Sequence, residues 1–277
     1  MSAVEPLISK LAKASNKKEK LDAILNLGNL QNEKALETLI QVLSTEKDNQ
    51  IKSHAADAII KIGSKKAVNL SLRLLSNDSW ITRMKAAEIL GEIGDTKAVR
   101  ALIRVLRFEE EASVREWAAI GLGKIKDKRA FKSLSQSLET ESNPNVRKEA
   151  AIALGNLKDK SARESLITAI QTDNECQVRW AAISALSKIN GDAETKQLIR
   201  DLTDELVNII QKEKDEVKLS AAAKILGEIG NIAAAKTLYK TMKVSKELVR
   251  LEINLALDKM AKRFNYPSID EFINLLK

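Results

Sequence analysis

One motif returns every 32 residues, and it restricts this chain to a stacked array of similar units. Residues 114–125 read VREWAAIGLGKI, residues 146–157 read VRKEAAIALGNL and residues 178–189 read VRWAAISALSKI. The register runs back through Arg83, Ala86, Leu90 and Ile93, then after a slip of one through Ala55 and Ile59 to Ala23 and Leu27. Between these stretches a second pattern recurs. Ala98, Leu102 and Leu106 match Ala130, Leu134 and Leu138, and then Ala162, Leu166 and Ile170. Apolar residues at i, i+4 and i+8 line one face of a helix, so each unit is predicted to be two short helices. A lone pair cannot cover its own apolar faces, and neighbours must stack on it.

The pairs are predicted at 3–30, 33–62, 65–93, 96–125, 129–157, 160–189, 193–229 and 232–264. Asp192 to Lys214 departs from the period, longer by about two turns, with Leu198, Leu202, Leu206 and Ile210 keeping one apolar face. Val4, Leu7, Ile8 and Leu11 open the array. At the other end Asn265-Tyr266-Pro267 breaks the chain, and Ser268 with Glu271 reads as a capping box ahead of Ile269, Phe272 and Leu276. Gly63, Gly94 and Gly230 are expected as left-handed helix caps. Gly91, Gly123, Gly155 and Gly227 fall inside helices, where each costs about 1 kcal/mol against alanine. Close approach of a neighbouring helix is the expected compensation.

The unit V-R-x-x-A-A-x-A-L-G-x-I-x-D-x-x-A is best kept from Val146 to Ala162. It resembles the HEAT-like repeat of the phycobilisome-lyase type, and the resemblance covers nearly the whole chain. The T-P-L-H start of ankyrin repeats and the W-x-x-L-G-x-x-Y of tetratricopeptide repeats are absent. The expected fold class is therefore all-α, an α-α superhelix: a right-handed solenoid of about eight HEAT-like helical pairs. It is expected to run as a single array over 1–277, with 265–277 as a C-terminal cap. The resemblance implies a bilin lyase, a bilin chaperone or an adaptor.

Charge narrows the partners. The formal net charge is +8, with basic residues interleaved among acidic ones, which favours an acidic protein face or another anion. Cys176 is the one cysteine, so the chain forms no internal disulfide and no cysteine metal site, as suits a reducing cytosol. The N-terminal segment, with Lys10, Lys13 and Lys17 to Lys20, lacks the apolar stretch of a signal peptide, and no run approaches the roughly 20 apolar residues of a membrane span. A cytoplasmic protein is expected.

Motifs for chemistry are missing. His54 is the one histidine, so neither a metal-binding histidine pair nor a free choice of catalytic triad exists. No phosphate-binding or dinucleotide-binding glycine loop occurs. No catalytic, cofactor-binding or metal-binding residue is assigned, and no cofactor is expected.

Two groups remain as candidate partner-binding residues. Arg83, Arg115, Arg147 and Arg179 form a column in the first turn of the second helices, with Lys52 and Arg250 in equivalent places. The positive end of a helix is a poor place for a cation. Either each arginine bonds carboxylates or carbonyls in neighbouring turns, such as those of Asp78, Asp95, Asp127, Asp159 or Asp173, or the column is an anion-binding stripe. Trp117 and Trp180 stand beside the arginines, one residue apart in register, as contact anchors or as wedges between repeats. Trp117, Trp180, Arg115 and Arg179 are expected to share a face. The leading functional reading is a non-catalytic scaffold that binds another protein along its concave face. A phycobilin lyase subunit or bilin chaperone is the alternative, and a nucleic-acid-binding HEAT-like protein the second.

Overall fold

The computed structural model describes residues 3–189 and 193–277. Asp192 and the side chain of Leu198 lie outside the described residues. The chain folds as an all-α superhelix of paired helices, with no strand among the described residues. It divides into two compact units, residues 1–157 and 158–277.

The N-terminal unit contains five pairs. They are α1 (Val4–Lys13) and α2 (Lys17–Asn29), α3 (Leu36–Thr45) and α4 (Asn49–Ile62), α5 (Lys65–Leu74) and α6 (Trp80–Ile93), α7 (Val99–Phe108) and α8 (Ala112–Ile125), and α9 (Phe131–Thr140) and α10 (Pro144–Leu157). Helices pack within each pair, and the second helices α2, α4, α6, α8 and α10 pack on one another in chain order. Among the first helices α3 packs beside α5 and α7 beside α9, which forms a second layer.

The C-terminal unit pairs α11 (Arg163–Thr172) with α12 (Cys176–Lys188), α13 (Ala193–Lys212) with α14 (Glu216–Ile229) and α15 (Ile232–Met242) with α16 (Glu247–Arg263). A last helix, α17 (Ile269–Leu276), lies against α15 and α16. Ser268 Oγ caps it by accepting from the Glu271 amide at 3.2 Å. Phe272 is fully buried beside the rings of Phe264 and Tyr266. The stretch that departs from the period is thus the long helix α13, with Leu206 and Ile210 buried.

Small residues in the second layer let the helices approach. Ala55, Ala86, Ala118 and Ala150 are fully buried, and Leu27, Ile59, Leu90, Leu122 and Leu154 fill the space between layers. The helical glycines are the points of closest approach. A Cβ on Gly91 would meet Gly121 Cα at 2.5 Å, and one on Gly123 would meet Ala153 at 2.9 Å. No L side chain fits there without a backbone shift, which explains glycine inside a helix.

The caps differ from expectation at two points. Gly63 and Gly94 are left-handed, but Gly230 is extended, with φ −60° and ψ 150°. Elsewhere non-glycine residues take the left-handed place: Gln31, Lys126 and Lys158, with φ of 48°, 59° and 52°. In four repeats a short 3-10 turn precedes the first helix, at Glu33–Ala35, Thr96–Ala98, Lys128–Ala130 and Lys160–Ala162. Asn32, Asp95, Asp127 and Asp159 cap these turns through side-chain oxygens.

Candidate functional site

The arginine column sits where the chain turns from first to second helix. Arg83 Nη1 donates to the carbonyls of Asn77 and Asp78 at 2.9 and 3.0 Å, and Arg115 Nη1 to those of Glu109 and Glu110 at 2.9 and 2.7 Å. Arg147 bonds Glu141 and Ser142 in the same way, and Arg179 bonds Asp173 and Asn174. The repeat therefore reuses one clamp: a guanidinium closes over the two carbonyls that precede its own helix. Arg250 retains a shortened form, with one bond to the Ser245 carbonyl at 2.9 Å.

The other edge of the guanidinium faces the next repeat. Arg83 Nε and Nη2 meet the two Glu109 oxygens at 2.9 and 2.8 Å. Arg115 meets Glu141 at 2.8 Å through both contacts, and Lys20 reaches Glu46 at 2.7 Å. Each acid stands 26 residues after its cation. Each also accepts a backbone amide at its own turn, Glu109 from Glu111 and Glu141 from Asn143. That carboxylate offsets the cation at the positive helix end. The hydrogen bond from Arg83 holds the Glu109 carboxyl below its ordinary range against the cost of burial. At Glu141 burial is the largest influence and pushes the carboxyl up, but the bonds from Arg115 and the Asn143 amide outweigh it and hold it below that range.

Of the acids anticipated as partners, Asp78 and Asp173 take part through their carbonyls, whereas Asp95, Asp127 and Asp159 cap the 3-10 turns instead. Glu109 and Glu141 went unnoticed in the sequence. Their signal was an acid six residues ahead of the repeat's arginine, at positions 109, 141 and 173. Lys52 holds its place without a carboxylate in bonding range among the described residues. It is buried and donates to Thr82 Oγ1 at 2.6 Å and Ser79 Oγ at 3.2 Å. Burial pushes its ammonium down from the ordinary lysine value, with Glu46 opposing.

Trp117 is half-buried on the second-helix face of the N-terminal unit. Two residues apart on α8, Arg115 and Trp117 lie about 200° apart around the helix, so they are not on one face. The repeat register instead puts Lys85 and Glu149 either side of Trp117, and Glu88 and Ile152 either side of Ile120. Lys124 and Glu92, one turn further along, close an ion pair across the same two helices. Lys85 pairs with Glu88 at 2.7 Å and Lys148 with Glu149 at 3.1 Å. Glu116 stays without an ion pair among the described residues. Burial raises its carboxyl above the ordinary value, Lys148 pulls it back and Glu149 adds to the rise.

The pattern of HEAT repeats matches residues 4–70, 69–142 and 131–206, most of the chain. This chain is a HEAT-repeat protein. Among solved structures, the HEAT-repeat chain is similar in fold to the karyopherin Kap121p, with a TM-score of 0.68 and 14% identity over 99% of this chain and 34% of that one. Importin beta matches with a TM-score of 0.60 and 14% identity over 94% of this chain and 44% of its own. The complex of CpcE and CpcF of phycocyanin lyase from Nostoc sp. aligns at 20% identity over 100% of this chain and 94% of that one, with a TM-score of 0.47. Among curated proteins, none matches the sequence.

The C-terminal unit of the HEAT-repeat chain does bring an arginine and a tryptophan together. Arg179 and Trp180 line a cavity of about 300 Å³ with Ile170, Cys176, Leu206 and Lys218. Trp180 is half-buried there, so it is neither sealed between helices nor fully in solvent. Among the described residues no cluster of histidine, cysteine or acidic side chains is placed to hold a metal ion, and no helix is long and apolar enough to cross a membrane.

Proposed function

We propose that this HEAT-repeat protein is a cytoplasmic, non-catalytic scaffold that binds another protein through the second-helix face of its N-terminal unit, the concave face of a HEAT solenoid. The observation that carries this reading is the setting of Trp117. A half-exposed indole stands one turn before Ile120, whose register neighbour is Ile152, and the ion pairs Lys85–Glu88 and Lys148–Glu149 border it. An aromatic anchor with aliphatic neighbours and a charged rim is the composition of a protein-binding hot spot.

The arginine column contributes differently. Arg83 and Arg115 spend their donors on carbonyls and carboxylates of the protein itself. Under this reading they fix the stagger between repeats and so the curvature of the face a partner meets. Kap121p, similar in fold, is known bound to the extreme C-terminus of the protein phosphatase Cdc14p, which is consistent with a peptide-gripping role for such a stack.

A photo-crosslinking amino acid in place of Trp117 tests the reading. Irradiation in the native host should yield discrete protein adducts that the same group at Lys65, on α5, does not give. An identical adduct pattern from both positions refutes it. Addition of a bilin should leave the visible spectrum of the pigment unchanged; a shifted, strongly fluorescent spectrum favours the lyase instead.

A further inference from the structure

We infer that the outer face of α7, with the cleft between α7 and α9, is a docking site for an extended acidic peptide of a partner protein. It is a second surface, and it does not depend on the role of Trp117. Arg100, Arg104 and Arg107 occupy i, i+4 and i+7 on α7, and all three are exposed. Among the described residues none of them makes an ion pair. Lys66, Lys17 and Lys124 of the same unit pair with Glu37, Asp48 and Glu92. Like charges at this helical spacing repel one another, so the arrangement is unfavourable for the isolated protein. The repeat register adds Arg73 before Arg104 and Lys132 after Arg100, both exposed.

The cleft gives the second, independent observation. Phe108 ends α7 with 71% of its surface exposed, and the Arg107 guanidinium lies 5.2 Å over its ring. Beside it opens a cavity of about 420 Å³ whose lining includes Phe108, Gln136 and Ser137 together with Arg115 and the carboxylates of Glu109 and Glu141. Ser137 is only 8% exposed, and its hydroxyl has no hydrogen-bond partner. In the register its place is held by Val42, Val105 and Ala169 in other repeats. A buried hydroxyl without a partner is costly, and packing alone would keep valine there. The serine sits in the wall of the cleft.

Geometry and charge define the occupant. Arg100 to Arg107 spans about 10 Å along the helix. An extended chain puts alternate side chains on one face about 7 Å apart. Two acidic residues at alternate positions therefore meet Arg100 and Arg104, and the next residue on that face arrives at Phe108 and the cleft. Its side chain is uncharged, because the turn beyond Phe108 carries exposed Glu110 and Glu111. Single-stranded nucleic acid would call for successive aromatic platforms. Phe108 is the one exposed ring on α5, α7 and α9.

Fluorescence anisotropy with the full chain tests the assignment. The probe is a fluorescein-labelled peptide with glutamate at alternate positions followed by leucine and serine. The comparators are the same peptide with glutamine for glutamate and a mixed-sequence single-stranded oligonucleotide of equal charge. The acidic peptide should bind in a salt-dependent way and more tightly than either comparator. The double variant Arg100→Gln/Arg104→Gln should weaken it about tenfold and flatten the salt dependence. Phe108→Ala, which removes the exposed ring at the mouth of the cleft, should weaken it by roughly threefold without lowering the urea midpoint, so lost binding cannot be blamed on lost folding. Trp117→Ala should leave the affinity unchanged. No binding by the wild type overturns the proposal. So does binding that survives both variants, or an oligonucleotide held more tightly than the peptide and released by the double variant.

Discussion

Arg115 and Glu141 face each other across two repeats with both guanidinium contacts at 2.8 Å. Both side chains are almost enclosed, at 13% and 10% exposure. The pair is two-pronged, and each partner has further bonds: Arg115 to two carbonyls, Glu141 from the Asn143 amide. Such a pair resists the removal of one partner more than the removal of both.

Arg115→Ala should therefore lower stability by about 2 kcal/mol, because it strands a sheltered carboxylate and two carbonyls. Replacing both residues by apolar side chains, Arg115→Met with Glu141→Leu, should recover a large part of the loss. Urea melts compared over the whole curve check both, since stacked repeats need not unfold in two states. Binding of a concave-face partner should weaken only in proportion to lost structure.

Acid should act on the same contacts. Glu109 and Glu141 have folded values below the ordinary carboxylate value of 4.5. A depressed carboxylate contributes stability that is complete above its unfolded value and is lost as pH falls through the folded one. The urea midpoint should thus drop as pH is taken below about 4.5. Glu116 has the opposite sign. Its raised value means that ionisation costs the folded state stability once pH climbs past the unfolded value. Glu116→Gln should raise the midpoint at neutral pH and make no difference in acid.

Lys126 ends α8 in the left-handed region at φ 59°, where Gly63 and Gly94 end α4 and α6. A side chain there costs about 1–2 kcal/mol that glycine avoids, less the entropy glycine loses on folding. Lys126→Gly should stabilise by about 0.5–1 kcal/mol, visible as a raised melting temperature.

Gly91 should tolerate nothing larger. Alanine there puts a Cβ 2.5 Å from Gly121 Cα, a backbone atom of a packed helix that cannot turn aside. Gly91→Ala should cost about 2–3 kcal/mol despite alanine's better helix propensity. A melt that shows Gly91→Ala equal to or above wild type contradicts the close packing of α6 on α8.

The repeat made most of the fold readable. The 32-residue period and the apolar spacing located the helical pairs, because a stacked repeat imposes the same burial on each copy of Leu90, Leu122 and Leu154. Gly91 and Gly123 were legible as close approaches for the same reason. Partnerships between repeats were harder to read. Arg83 and Arg115 stood out as a column, but Glu109 and Glu141 lie 26 residues away, in a turn whose geometry appears only once the helices are stacked. The aspartates next in line looked equally suitable until Asp95 and Asp127 proved committed to 3-10 turns. Arg115 and Trp117 are neighbours in sequence but not on the helix surface, so proximity along the chain misled. The α7 arginines were overlooked because their spacing matches an ordinary solvated face; what sets them apart is that all three share an exposed face that runs to Phe108 and its cleft, a three-dimensional fact.

The most direct test of the scaffold reading is a comparison of what immobilised wild type and Trp117→Ala retain from an extract of the native host, with circular dichroism showing the same helical content for both. The account predicts at least one protein held by wild type in stoichiometric amount, lost on Trp117→Ala and kept by Arg147→Lys. An identical retained set from wild type and Trp117→Ala would contradict it.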